Sequence, residues 1–241
     1  MEHIAGFKAA WRDRLASTEA QEVAVEVQFI AFDAEVFHAS AFQVAGLACP
    51  PDVARSVKKR QAEFFFGRLA AQRALHAIGV PPQDVPIGHH REPVWPPGLI
   101  GSVSHCAGLA AAVVLHRQWR CGVGIDMESV VDDPLRDTLR ATVLDSAEWG
   151  RLETLATDSM PLNVLVTIAF SAKESLYKAA FGAVGRFFGF EAARIQAVDL
   201  RGQRVALEIQ EDLCPSLPRG RVCELHYRVQ PAGTVYTSYL W

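Results

Sequence analysis

At 241 residues the chain has room for one large domain or two small lobes, and length alone does not choose between them. Half of its residues are hydrophobic and 21% charged, the balance of a globular chain able to bury a sizeable core without staples. A formal net charge of −3 argues against a dedicated nucleic-acid binder, whose footprint is basic overall. The five cysteines have no CxxC spacing and suggest neither a zinc site nor a disulfide framework. No window approaches the ~20 apolar residues of a membrane span.

Residues 1–15 mix Glu2, Lys8, Arg12 and Asp13 with apolar residues and do not read as a signal peptide, so a cytoplasmic location is the default expectation. The first fifty residues contain strand-like apolar runs, residues 23–32 being the clearest, that end near Cys49-Pro50-Pro51. A helical pattern is expected from Pro51 to about Gly79, with Val53, Val57, Phe64, Leu69 and Leu75 at roughly helical spacing. Its other face carries Arg55, Lys58, Lys59, Arg60, Arg68 and Arg73, with Glu63 as the lone acid. Residues 81–101 are rich in proline and glycine and read as loop. Strands are expected over 108–115 and 121–128, and a helix start at Asp145, with Glu148 three residues on. A second helix start is expected at Ser171, followed by Glu174. Strand-like pieces then recur at 195–200, 205–209, 222–229 and 235–240, the last two joined by a turn at Pro231, Ala232 and Gly233. Two rounds of strands around a helix suggest two α+β lobes with a boundary near residue 120.

Four stretches could carry chemistry. In Gly122-Val123-Gly124-Ile125-Asp126-Met127-Glu128, strand alternation puts Asp126 and Glu128 on one face, with the two glycines leaving that face open. Paired carboxylates suit Mg²⁺, although an acidic strand end that is merely solvated has the same spelling. In Phe170-Ser171-Ala172-Lys173-Glu174-Ser175-Leu176-Tyr177-Lys178, Glu174 either closes a capping box with Ser171 or shares a face with Lys178, where a metal and a phosphate could lie side by side. Gly101-Ser102-Val103-Ser104-His105 offers hydroxyl, amide and imidazole groups to a phosphate, or holds a structural histidine. On the basic helix, Arg60 lies one turn from Glu63 and Arg68 further along; arginines fixed by a glutamate suit forked recognition of phosphate, while a solvated basic face is the alternative.

Taken together, these stretches resemble the 4′-phosphopantetheinyl transferases of the two-lobed surfactin/enterobactin-synthetase type. The matching segments are Arg60-x-x-Glu63-Phe64-x-x-Gly67-Arg68-x-Ala70, Arg91-Glu92-Pro93-Val94-Trp95-Pro96, Gly101 to His105, Gly124 to Glu128 and Phe170 to Lys178, in the family's order. Gly185-Arg186-Phe187-Phe188-Gly189-Phe190 looks like the family's tail segment, whereas the first fifty residues match no motif.

The resemblance implies an α+β fold of two similar α/β lobes, residues 1–120 and 121–241, related by a pseudo-twofold with a cleft between them. It implies transfer of the 4′-phosphopantetheine arm of coenzyme A to a serine of an apo carrier protein, with release of adenosine 3′,5′-bisphosphate. Asp126, Glu128 and Glu174 would hold Mg²⁺; Met127 supplies no oxygen, so water would complete the metal's sphere there. Arg60, Arg68, Arg91, Ser104 and His105 would hold the phosphates of the nucleotide, Lys173 and Lys178 would reach the pyrophosphate, and Glu174 would act as general base with Lys178 beside it. The implied partner is an acidic, helical acyl or peptidyl carrier, with no nucleic acid or membrane involved, and a monomer is the expected state. A non-catalytic coenzyme A- or nucleotide-binding protein and a metal-dependent phosphohydrolase are the rival readings.

Overall fold

Short apolar runs pair antiparallel in each half of the chain, and a long helix packs on each resulting sheet. The computed structural model describes residues 4–15, 25–230 and 233–241, which fall into two compact units divided between Arg120 and Cys121.

In the first unit β1 (Phe7–Arg14) pairs with β2 (Glu26–Phe32), and a four-stranded sheet is completed by β3 (Leu99–Cys106) and β4 (Leu109–His116) in the order β1-β2-β4-β3. β1 was not singled out among the early runs: Trp-Arg-Asp-Arg at its end is too polar to mark a strand clearly, but an edge strand needs only one apolar flank. The β3–β4 hairpin turns on Ala107 and Gly108, both at positive φ, the backbone that a two-residue turn requires. The expected single helix from Pro51 is broken into α2 (Pro51–Ala54) and α3 (Lys58–Ala77), because Val57 takes an extended conformation between them; a short α1 (Ala41–Val44) precedes both. Ile30, Phe32, Ala110, Ala112 and Val114 share a cluster with Phe65, Phe66 and Leu69 of α3, and the Phe32 and Phe66 rings stack at 4.6 Å. The alanines of β4 are what let the helix settle so close.

The expected loop over 81–101 ends earlier, since Leu99 already belongs to β3. Gly101 is needed there: a Cβ would lie 2.7 Å from the Trp95 ring, whose indole N–H donates to Gly101 O at 2.9 Å.

The second unit contains β5 (Val123–Ser129), α4 (Asp133–Thr142), α5 (Ser146–Leu155), α6 (Leu162–Val184), β6 (Ala193–Asp199), β7 (Arg204–Ile209), β8 (Val222–Gln230) and β9 (Thr234–Leu240), with sheet order β5-β9-β8-β7-β6. The expected cap at Asp145 is present as a full capping box with Glu148. α4, unforeseen, is capped by Asp132, whose side chain accepts from Leu135 N. Of the turn expected between the last two strands, Pro231 and Ala232 lie outside the described residues, while Gly233 takes φ +74°.

Ser171 does not begin a helix. It lies inside α6, which starts after Pro161, and its hydroxyl is therefore released from capping to bond elsewhere. Residues 162–170 are apolar on nearly every side, so they gave no helical stripe to detect. Gly122 and Gly124 do leave one face of β5 open, but α6 fills it. A Cβ at Gly124 would collide with Ser175 O and lie 2.7 Å from Ala179 N, so glycine is what allows the helix backbone to rest on the strand.

Candidate active site

The close seating of α6 on β5 decides what surrounds Asp126. Ser171, Glu174, Ser175 and Lys178 recur at three and four residues and form one stripe of the helix. Asp126 is 3% exposed; its Oδ2 accepts from Ser171 Oγ at 2.8 Å and its Oδ1 from Lys178 Nζ at 2.6 Å. Thr237, opposite Asp126 on β9, extends the chain of hydroxyls, its Oγ1 standing 2.9 Å from Ser171 Oγ and 2.7 Å from Ser175 Oγ. Asp126 is thus held in a fixed orientation by charge-assisted bonds from two side chains of α6. The serines and Thr237 were missed in the sequence, where Ser171 reads as a cap; the helical spacing of Ser171 and Ser175 with Lys178 is the signal that could have shown the serines, and nothing local marks Thr237.

Glu128 and Glu174 are partly buried beside this carboxylate. Burial pushes Glu128 up to about 7, with the charge of Asp126 adding, Lys178 opposing and Glu174 adding again. Glu174 is raised too, first by burial, with Lys178 opposing and Asp126 adding. Three acids and one lysine therefore share a poorly solvated region, an arrangement that disfavours full ionisation until a cation arrives. The all-oxygen donor set has the chemistry of a Mg²⁺ site. As the side chains stand, however, no group of three or more His, Cys, Asp or Glu among the described residues converges closely enough to ligate an ion.

Lys173 is corrected. It does not face this stripe; it is 4% exposed, and its ammonium lies 2.8 Å from Glu148 Oε1, with Val143 O at 2.9 Å and Phe190 O at 3.3 Å. All three of its protons are used inside the second unit, so none is left for a pyrophosphate. Glu148, unsuspected as a counter-ion, accepts in addition from Ile195 N at 2.7 Å and Asp145 N at 2.8 Å. Burial lowers the Lys173 value, and Glu148 opposes that shift.

In the first unit a cavity of about 640 Å³ opens beside α3 and β3. Arg60, Arg68, Arg91 and His105 line it together. Arg60 Nη1 donates to His105 Nε2 at 2.9 Å, so a neutral ring carries its proton on Nδ1, 3.7 Å from Glu63 Oε2. Glu63 also stands 3.8 Å from Arg60, as the one-turn spacing requires. Arg68 is 8% exposed, its guanidinium rests 4.7 Å over the Phe64 ring, and its Nε has no hydrogen-bond partner among the described residues. Burial, with Arg60 adding, lowers it to about 10, which leaves it cationic at neutral pH. Arg91 is held at φ +68°, an uncommon backbone for a residue with a Cβ, within a turn that Gly88 and Glu92 close. Ser104 does not join the group. Alternation along β3 sends it to the face opposite Val103 and His105, where it is buried, and it does not line the cavity.

Acids that await a cation and arginines that await an anion are the equipment of an enzyme acting on a phosphate-bearing substrate. Comparison with known proteins gives the family. Residues 50–115 match the 4′-phosphopantetheinyl transferase N-terminal domain, and residues 122–225 match the 4′-phosphopantetheinyl transferase superfamily. The chain is similar to enterobactin synthase component D of Salmonella typhi, at 40% identity over 167 residues, 68% of this chain and 67% of that protein. It is 41% identical over 146 residues to the 4′-phosphopantetheinyl transferase PptT of Mycobacterium tuberculosis, covering 60% of this chain and 62% of that one. The 4′-phosphopantetheinyl transferase Npt of Nocardia iowensis is 38% identical over 144 residues, 59% of this chain and 62% of that one. The chain belongs to the 4′-phosphopantetheinyl transferase family: it is an enzyme that transfers 4′-phosphopantetheine from coenzyme A to carrier proteins. Among the described residues no helix is long and apolar enough to cross a membrane.

Proposed function

We propose that Asp126, Glu128 and Glu174 hold Mg²⁺ during this transfer, and that Glu174 is the general base. The observation that carries the reading is the crowding of three acids around one lysine, with Glu128 raised to about 7 where no cation relieves it. Bound there, Mg²⁺ would offset the charge that grows on the leaving bisphosphate. The carrier's serine Oγ attacks the phosphorus that bears the pantetheine arm, the bond from that phosphorus to the bridging oxygen breaks, and adenosine 3′,5′-bisphosphate leaves. Glu174 takes the hydroxyl proton, a role open to a carboxylate within hydrogen-bonding reach of the attacking serine. Lys178, tied to Asp126, would supply a further positive charge to the pyrophosphate.

Arg60, Arg68, Arg91 and His105 hold the phosphates of the nucleotide, supported by the buried, partly unbonded guanidinium of Arg68 on the cavity wall. The carrier is an acidic helical protein of acyl or peptidyl type, and the enzyme works as a cytoplasmic monomer without nucleic acid or membrane. The test incubates the full chain with coenzyme A, an apo carrier and MgCl₂, and follows the gain of the arm by mass spectrometry. Asp126→Asn and removal of divalent ions by chelator should each abolish transfer, and His105→Ala should mainly raise KM for coenzyme A. Undiminished transfer in the presence of chelator would remove Mg²⁺ from the reaction, and unchanged turnover by Asp126→Asn would remove that residue from the metal site.

A further inference from the structure

Glu63 shares the wall of the first unit's cavity with Arg60, Arg68 and Arg91, where a negative charge works against the binding of any anion. The other acid of that lining, Asp52, is 91% exposed and paired with Arg55, so water screens its charge. The side chain of Glu63 is only 14% exposed. From α3 it reaches two of the basic groups at once, its Oε2 standing 3.8 Å from Arg60 Nη1 and 3.7 Å from His105 Nδ1. Both separations exceed a hydrogen bond, so the acid acts on the pair through its charge.

That charge matters because of how the ring is held. Arg60 Nη1 donates to His105 Nε2 at 2.9 Å, and a nitrogen that accepts carries no proton, so the imidazole is neutral in this arrangement. A guanidinium so close also opposes a positive charge on the ring. An entering phosphate would reverse both conditions. Its oxygens can accept from Arg60 in place of Nε2, and its charge favours an imidazolium. The charged and titratable groups that share the cavity with the ring are Arg60, Glu63 and Arg68 of α3, Asp52 of α2, and His89 and Arg91 of the turn that Gly88 and Glu92 close. On the sheet, β4 places the uncharged Ala110 opposite it.

We propose that Glu63 is a positioning residue of the nucleotide site. It secures the Nδ1 proton of His105, so that when coenzyme A binds the ring takes a second proton from solvent onto Nε2 and holds phosphate as an imidazolium. This role rests on the reading that His105 holds those phosphates.

Coenzyme A is titrated calorimetrically into the full chain with MgCl₂ and no carrier, between about pH 6 and about pH 8.5, in buffers of different ionisation enthalpy that count the protons taken up. Wild type should gain up to about one proton on binding, with affinity falling by as much as about tenfold per pH unit where the ring titrates. His105→Gln should remove that uptake. Glu63→Gln should flatten the slope, so that the ratio of wild-type to variant affinity falls at least about threefold from the acid to the alkaline end. Glu63→Asp keeps the charge and should restore part of the slope. Uptake that survives His105→Gln undiminished, or a Glu63→Gln variant weakened by one factor at every pH, overturns the role of Glu63 while leaving His105 at the phosphates. Affinity that His105→Gln leaves unchanged at every pH removes His105 from the phosphates, and the role of Glu63 falls with it.

Discussion

Glu128→Gln isolates the acid cluster, because glutamine keeps the shape of the side chain and removes its charge. In the metal-free protein Glu128 titrates near 7 against an ordinary 4.5, first through burial and then through Asp126. A carboxyl whose folded value lies above its unfolded one favours the fold while protonated. That contribution is complete below 4.5 and is lost as pH climbs through about 7. Taken at face value the gap is worth about 3 kcal/mol; contact of the partly exposed side chain with water reduces it to about 1–2 kcal/mol. Glutamine does not titrate, so wild type should lose that much relative to Glu128→Gln between about pH 5 and about pH 8 in chelator. Hydrogen exchange at the amides of β5 and β9 reads the second unit by itself. Mg²⁺ added at the alkaline end should return the lost stability to wild type and little to the variant, since only wild type offers the full set of acids. A difference between the two proteins that stays flat across the range, with no response to Mg²⁺, refutes the account of Glu128 as a crowded, poorly solvated carboxyl.

Two other substitutions test the supports of the site. Lys173→Met leaves Glu148 as a buried unpaired charge and should cost about 3–5 kcal/mol in urea denaturation, while the double variant with Glu148→Leu should recover most of it. Recovery of nothing would mean that the backbone bonds of Glu148, rather than its charge pair, carry the effect. Gly124→Ala places a methyl against Ser175 O and should cost at least ~1–3 kcal/mol while moving α6 off β5, with transfer activity lost. Wild-type stability and turnover in that variant would contradict the close approach.

Strands with alternating or continuous apolar runs were legible: β4 to β9 lie within two residues of where periodicity put them, and β2 ends at the expected Phe32. Elements whose reason is tertiary were not. β1 owes its existence to pairing with β2, and the first nine residues of α6 are apolar on nearly every side because the helix is buried there, so periodicity carried no helical information. That hidden stretch is also why Ser171 passed for a cap. Its partners, Asp126 and Thr237, are 45 and 66 residues away, and no local rule links them.

Lys173 and Lys178 show the same limit within one motif. Both flank Glu174, and composition gives each an equal claim on a phosphate. What separates them is angular position on α6, since 173 falls about 100° from 174 while 178 returns to nearly the same face. The first side chain therefore points to α5, where Glu148 is already fixed by its cap, and the second to β5, where Asp126 is waiting. Glu148 joins Asp145 N, Ile195 N and the Lys173 ammonium, which in turn reaches Val143 O and Phe190 O. The backbone beside Glu174 is in this way anchored to α5, to β6 and to the chain on either side of them. A base that must meet a serine brought in by another protein needs such an anchor, because proton transfer falls away steeply when the carboxylate drifts out of hydrogen-bonding reach.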